Sequence, residues 1–136
     1  MDTKQKGDIT ESKVLARFTE LGYSILVPWG DNDRYDLIFE NEHGSFKRIQ
    51  CKTGNVINNE SVIVFRVHSS SAHRNGKRPT YHGEVDYFAV WCEYNDKIYL
   101  VPFSEVGNLT SEARLRLTET KNGQNKGVRF AKDFEL

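Results

Sequence analysis

Asp36 sits near the head of the run Tyr35-Asp36-Leu37-Ile38-Phe39, Gln50 and Lys52 flank Cys51 a short way downstream, and Glu11 precedes them all. A carboxylate, an amide oxygen and an ammonium on adjacent strands are the parts that hold a divalent cation beside a phosphodiester. Whether they meet depends on the elements that carry them.

Residues 5–21 have the spacing of a helix, with Ile9, Val14, Leu15, Phe18 and Leu21 forming an apolar stripe that Gly22 ends. Residues 23–27 read as a short strand closed by Pro28, and 30–34 as a polar turn. Residues 35–40 and 45–53 form two strands joined through Asn41-Glu42-His43-Gly44, a hairpin pattern. Further strands are expected at 61–67, at 85–94 and at 97–101, the last two joined through Asn95-Asp96. The run Asp86-Tyr87-Phe88-Ala89-Val90-Trp91 suits a central strand covered on both faces. For residues 103–118 the expectation is one or two short helices, with Ser111 capping a segment to Leu117, although Arg and Leu alternate there. A loop at 120–126 and an edge strand at 127–131 complete an α+β or α/β unit in one domain, 1–136.

Strand parity decides which side chains share a face. Asp36, Ile38 and Glu40 point one way and Leu37 and Phe39 the other, while Gln50 and Lys52 lie opposite Ile49 and Cys51. A hairpin therefore brings Asp36, Gln50 and Lys52 onto one surface at its open end. Glu11 projects from the side of the apolar stripe, where an unpaired carboxylate is costly, so a cation or Lys52 should compensate it.

Composition bounds the rest. With 136 residues, 38% of them hydrophobic, the chain can build a core, and 19 basic against 19 acidic residues leave no global positive field. Any nucleic-acid surface must be local. The clearest basic stretch, 66–82, carries Arg66, Arg74, Lys77 and Arg78 and no acidic residue, and its Ser and Asn-Gly content suits a loop tracking a phosphate backbone. Arg114, Arg116, Lys121, Lys126 and Arg129 form a looser second region. His68, His73 and His82 lack zinc-site spacing, and Cys51 and Cys92 read as free thiols. No apolar run approaches a membrane span, and a cytoplasmic location is expected.

The order helix Glu, strand Asp, then a Gln-x-Lys strand resembles the PD-(D/E)XK nuclease superfamily, in particular small archaeal Holliday junction resolvases and intron-associated homing endonucleases. The matching pieces are Lys6-Gly7-Asp8-Ile9-Thr10-Glu11, Gly22-Tyr23, Tyr35-Asp36-Leu37-Ile38, Ile49-Gln50-Cys51-Lys52-Thr53 and Tyr81-His82-Gly83-Glu84-Val85-Asp86-Tyr87-Phe88. The resemblance implies an α/β, restriction-endonuclease-like core, a mixed β-sheet flanked by helices with the N-terminal helix packed on it. It implies a Mg²⁺-dependent endodeoxyribonuclease, Mn²⁺ substituting, with Asp36 as the central metal carboxylate. Gln50, the Cys51 carbonyl and Glu11 complete the ligands, and Lys52 orients water or offsets charge on phosphorus. Tyr35 stands where the motif has Pro, and Gln50 where Glu or Asp is commoner, so the site holds less negative charge. The implied substrate is branched DNA or a specific duplex site, and cutting both strands implies a homodimer or a dimer of dimers. Two other readings fit the residues: a DNA-binding protein of the same fold without turnover, or a structural or interaction subunit in which Glu11 and Lys52 form a buried ion pair.

Overall fold

The computed structural model describes residues 1–30, 32–68 and 81–136. Helix α1, Thr3–Glu20, begins with a reciprocal cap in which Gln5 N–H donates to Asp2 Oδ1 at 2.8 Å and Asp2 N–H to Gln5 Oε1 at 3.1 Å. It ends where Gly22 turns left-handed, at φ 85°. There Gly22 N–H donates to Thr19 and Tyr23 N–H reaches back to Phe18, whose ring meets Tyr23 edge-on at 5.6 Å. The buried stripe is narrower than the sequence pattern suggests: Thr10, Val14 and Phe18 are buried, Ile9 is half-buried, and Leu15 and Leu21 are exposed.

Among the described residues seven strands follow the helix: β1 Ser24–Leu26, β2 Leu37–Glu40, β3 Phe46–Ile57, β4 Val62–Arg66, β5 Tyr87–Cys92, β6 Lys97–Pro102 and β7 Glu112–Arg116. β1, β2 and β3 pair antiparallel, β5 runs parallel to β3, and β6 closes antiparallel on β5. The sheet is thus mixed, with α1 packed on it. A second ladder joins the distal end of β3 to β4 and β4 to β7, all antiparallel. Gly54 lies where β3 passes from one ladder to the other. A Cβ there would meet Ile63 Cγ2 at 2.7 Å and Val90 Cγ1 at 2.9 Å, which no side chain allows without displacement.

Parity places one apolar layer on each side of β3 and β5. Leu37, Phe39, Ile49, Ala89 and Trp91 face α1 through Val14 and Phe18. Phe88 and Val90 face the opposite way, toward Ile63 and Phe65 of β4 and Leu115 of β7. β5 is accordingly buried along nearly its whole length, as a central strand covered on both faces must be.

Two expected elements differ. Residues 112–116 are a strand, not a capped helix, because they pair antiparallel with β4, which buries Ala113 and Leu115 and leaves Glu112 and Arg114 facing solvent. The C-terminal stretch 127–131 is no strand beyond an isolated bridge between Arg116 and Phe130, and Ala131–Asp133 forms a 3₁₀ turn. The short helix α2 spans Phe103–Val106.

Two polar contacts fix the pieces that carry the catalytic candidates. Thr10, 1% exposed on α1, has its Oγ1 2.6 Å from Thr53 Oγ1 on β3, one residue from Glu11 on one side and Lys52 on the other. Asp86, just ahead of β5, accepts from Arg48 N–H at 2.8 Å, from Nε at 3.2 Å and from Nη2 at 3.3 Å, while Arg48 Nη1 donates to Gly83 O at 2.8 Å. Burial pushes the Asp86 carboxyl up, but the Arg48 hydrogen bonds outweigh it and hold the group below its usual range.

Thr10→Val should cost about 1–3 kcal/mol in urea unfolding by stranding the Thr53 hydroxyl. The double variant Thr10→Val/Thr53→Val should lose less than the two singles summed, since both partners leave together; strict additivity would deny the bond a role. Asp86→Ala should cost about 1.5 kcal/mol at neutral pH. Because the folded pKa of Asp86 is depressed, its contribution is complete above the ordinary carboxylate pKa and fades as pH falls through the folded value. Stability curves of wild type and variant should therefore converge in acid, and a constant gap would contradict the assignment.

Candidate functional site

The cleft begins with an interruption in hydrogen bonding. β2 leaves β3 after the pair Leu37 and Ile49, and β4 joins β3 at Asn55, so, among the described residues, positions 50–54 of β3 are laddered solely to β5 and their other edge is open. A cleft of about 1180 Å³ lies there, lined among others by Arg34, Asp36, Gln50, Cys51, Lys52 and Arg66.

Asp36 occupies the position just before β2. Its N–H donates to Ile49 O at 2.8 Å, and its Oδ2 accepts the Cys51 N–H at 2.9 Å. The side chain thereby takes the strand partner's place beyond the end of β2. Asp36 and Gln50 both line the cleft. Burial raises the Asp36 carboxyl above its usual range against the lowering influence of Cys51 N–H and Lys52.

Glu11 approaches from the other layer. α1 packs on the face of Leu37, Ile49 and Cys51, and Glu11 is half-buried with its carboxyl raised by burial, then by Asp36, then by Asp8. The Cys51 thiol feels both carboxylates and is pushed well above its ordinary value by burial and then by Asp36 and Glu11. It stays protonated, so what Cys51 offers a cation is its backbone carbonyl. That oxygen accepts a long 3.4 Å bond from Gln50 Nε2, and a turn about the last torsion of Gln50 exchanges this nitrogen for Oε1.

Lys52 forms the opposite half of the site. Its Nζ donates to His68 O and to Tyr81 Oη, both at 3.0 Å, and lies 4.8 Å from the Tyr81 ring centroid. Burial lowers its pKa to about 8; Asp36 resists this shift, while Arg34 and Arg66 add to it. Among the described residues Glu11 and Lys52 form no ion pair, nor does Lys52 pair with Glu40, which sits at the far end of β2 opposite Phe46. One of the three ammonium donors thus has no partner among the described residues.

The donor set suits a hard cation. Asp36 and Glu11 supply carboxylates and Gln50 and Cys51 neutral oxygens, while the buried negative charge of Glu11 and Asp36 is mutually repulsive. No group of three or more His, Cys, Asp or Glu side chains capable of holding a metal occurs among the described residues. His82 instead meets the Phe103 ring edge-on at 5.1 Å, and both cysteines are free. Arg66 lines the cleft at the end of β4, whereas Arg74, Lys77 and Arg78 lie outside the described residues. Three participants escape the sequence pattern: Thr10, Arg34 and Tyr81. Only their neighbours signalled them, since Thr10 adjoins Glu11 and Tyr81 opens the segment that ends at Phe88.

Comparison with known proteins bears on the fold and the family. The solved structure of a bacterial homing endonuclease, I-Ssp6803I, is similar at 26% identity and a TM-score of 0.77, over 99% of this chain and 89% of that one. No curated protein matches the chain. The family model described as PD-(D/E)XK endonuclease matches residues 1–136, and the chain belongs to that family.

Proposed function

We propose that this protein is a Mg²⁺-dependent endodeoxyribonuclease that hydrolyses phosphodiester bonds at a specific duplex site. The observation that carries the proposal is the open edge of β3, where Asp36, Gln50, the Cys51 carbonyl and Lys52 converge and Glu11 is electrostatically coupled to Asp36. Asp36, Glu11, Gln50 Oε1 and Cys51 O are the groups that would hold Mg²⁺ or Mn²⁺, which when bound polarises the phosphate and acidifies water. Lys52, anchored through two donors, keeps a third for the attacking water or for charge building on the phosphate oxygens. Similarity to a homing endonuclease over nearly the whole chain supports a duplex site over a branched junction as the substrate.

Arg66, with Arg74, Lys77 and Arg78 of the adjoining segment, supplies backbone contacts that fix register without reading bases. One chain carries one such set of groups, so cutting both strands calls for a homodimer, or a dimer of dimers along a long site. A second reading, a DNA-binding protein of this fold without turnover, is favoured by the neutral side chain of Gln50.

Supercoiled plasmid, linear duplex and four-way junctions incubated with Mg²⁺, Mn²⁺ or EDTA separate these readings. Metal-dependent cutting should be abolished by Asp36→Ala and reduced about 10²–10³-fold by Lys52→Ala, with DNA binding retained by the lysine variant. Undiminished turnover in Lys52→Ala would remove the lysine from the reaction. Tight, salt-sensitive binding without cutting of a library containing all short duplex sites would favour the second reading.

A further inference from the structure

The cationic half of the cleft is organised around one aromatic ring. Tyr81 is 3% exposed and packs edge-on against Phe88 of β5, with ring centroids 5.6 Å apart. The central sheet therefore fixes the ring. Its Oη accepts from Lys52 Nζ at 3.0 Å, and the Lys52 and Arg34 cations lie 4.8 Å and 4.6 Å from its centroid. Arg34 comes from the loop before β2, and its Nε also lies 3.8 Å from Glu84 Oε2. Arg34, Lys52 and Tyr81 all line the cleft that holds Asp36.

Two like charges do not gather at one ring without a reason. Each loses hydration and repels the other, and the ring's negative face offsets only part of that. Glu84 faces Arg34 and Asp36 favours the charged form of Lys52, and an incoming phosphate would add to that compensation. The arrangement has what a phosphodiester backbone requires: a planar guanidinium and a point-charge ammonium held at fixed separation by a rigid spacer.

We propose that Tyr81 is the positioning residue of the cleft, holding Lys52 by its hydroxyl and Arg34 by its ring so that both cations address one stretch of phosphodiester backbone. The inference deepens the nuclease reading and rests on it. Tyr81 itself touches no reacting atom; it acts through its two partners. They divide its work, Lys52 serving the chemical step and Arg34 the affinity for backbone.

That division makes the test specific. Tyr81→Phe removes the hydroxyl and keeps the ring, so kcat should fall about 10–100-fold while Kd for duplex DNA in EDTA stays within about twofold. Tyr81→Leu removes both, and should add the signature of Arg34→Ala: weaker DNA binding in EDTA and a salt slope smaller by about one contact. Thermal midpoints recorded on the same samples separate positioning from folding, since a merely structural tyrosine would lower kcat and affinity together, in proportion to folded protein. Equal kcat for wild type and Tyr81→Phe, or an unchanged salt slope in Tyr81→Leu, would overturn the inference while leaving the nuclease reading intact. Failure of the wild type to cut any DNA would overturn the nuclease reading, and the salt-slope comparison in EDTA still decides the inference because it needs no turnover.

Discussion

Where β2 ends, the Cys51 N–H would be a backbone donor facing an open strand edge, and the Asp36 carboxylate takes it at 2.9 Å. Most of the site follows from that bond. It draws the carboxylate against β3 at the point where the strand loses its antiparallel partner. It also leaves the rest of the open edge, residues 50–54, facing the cleft. A continuous β2 would have filled that edge with ladder hydrogen bonds and left no room for a substrate. The interruption is tolerable because β5 continues along the other edge of β3, from Ile49 to Gly54, and is buried on both faces.

Charge in the cleft is separated into two halves. Glu11 and Asp36 are both raised by burial, and Glu11 further by Asp36, while Lys52 is lowered first by burial and then, against Asp36, by Arg34 and Arg66. Each half destabilises its own charged form, and neither is neutralised by contact with the other. Such an arrangement costs folding stability, which the two apolar layers around β5 must supply. It also gathers like charges, carboxylates on one side and cations on the other, with Arg34 met by Glu84 at 3.8 Å and Lys52 by the field of Asp36. The contacts between Thr10 and Thr53 and between Asp86 and Arg48 keep the halves from relaxing apart by tying α1 and the start of β5 to β3.

Much of this was legible in the sequence because it depends on local periods. The alternation around Asp36, Gln50 and Lys52 predicts a shared face, and a carboxylate beside the apolar stripe of α1 singles out Glu11. Elsewhere two periods compete. Arg114-Leu115-Arg116 fits either a capped helix or a strand, and only the antiparallel partner β4 decides for the strand. Near the C-terminus, Val128 and Phe130 look strand-like, yet the segment finds only one bridge, at Arg116. The partners of Lys52 were beyond reach for a different reason: the His68 carbonyl and the Tyr81 hydroxyl lie 16 and 29 positions away, and tertiary packing alone selects them. Thr10 was hidden as well, because a hydroxyl within an apolar stripe gives no sign of the threonine it will meet on another element.

The proposed cation site on the open edge of β3 is built by this chain's own oxygens. Its most direct test is titration of the purified protein with Mn²⁺ in the absence of DNA, followed by electron paramagnetic resonance, for wild type, Asp36→Ala and Glu11→Gln. The account predicts saturable binding in the wild type, its loss in Asp36→Ala and weaker binding in Glu11→Gln. Identical binding curves for all three proteins would place the metal elsewhere and contradict the account.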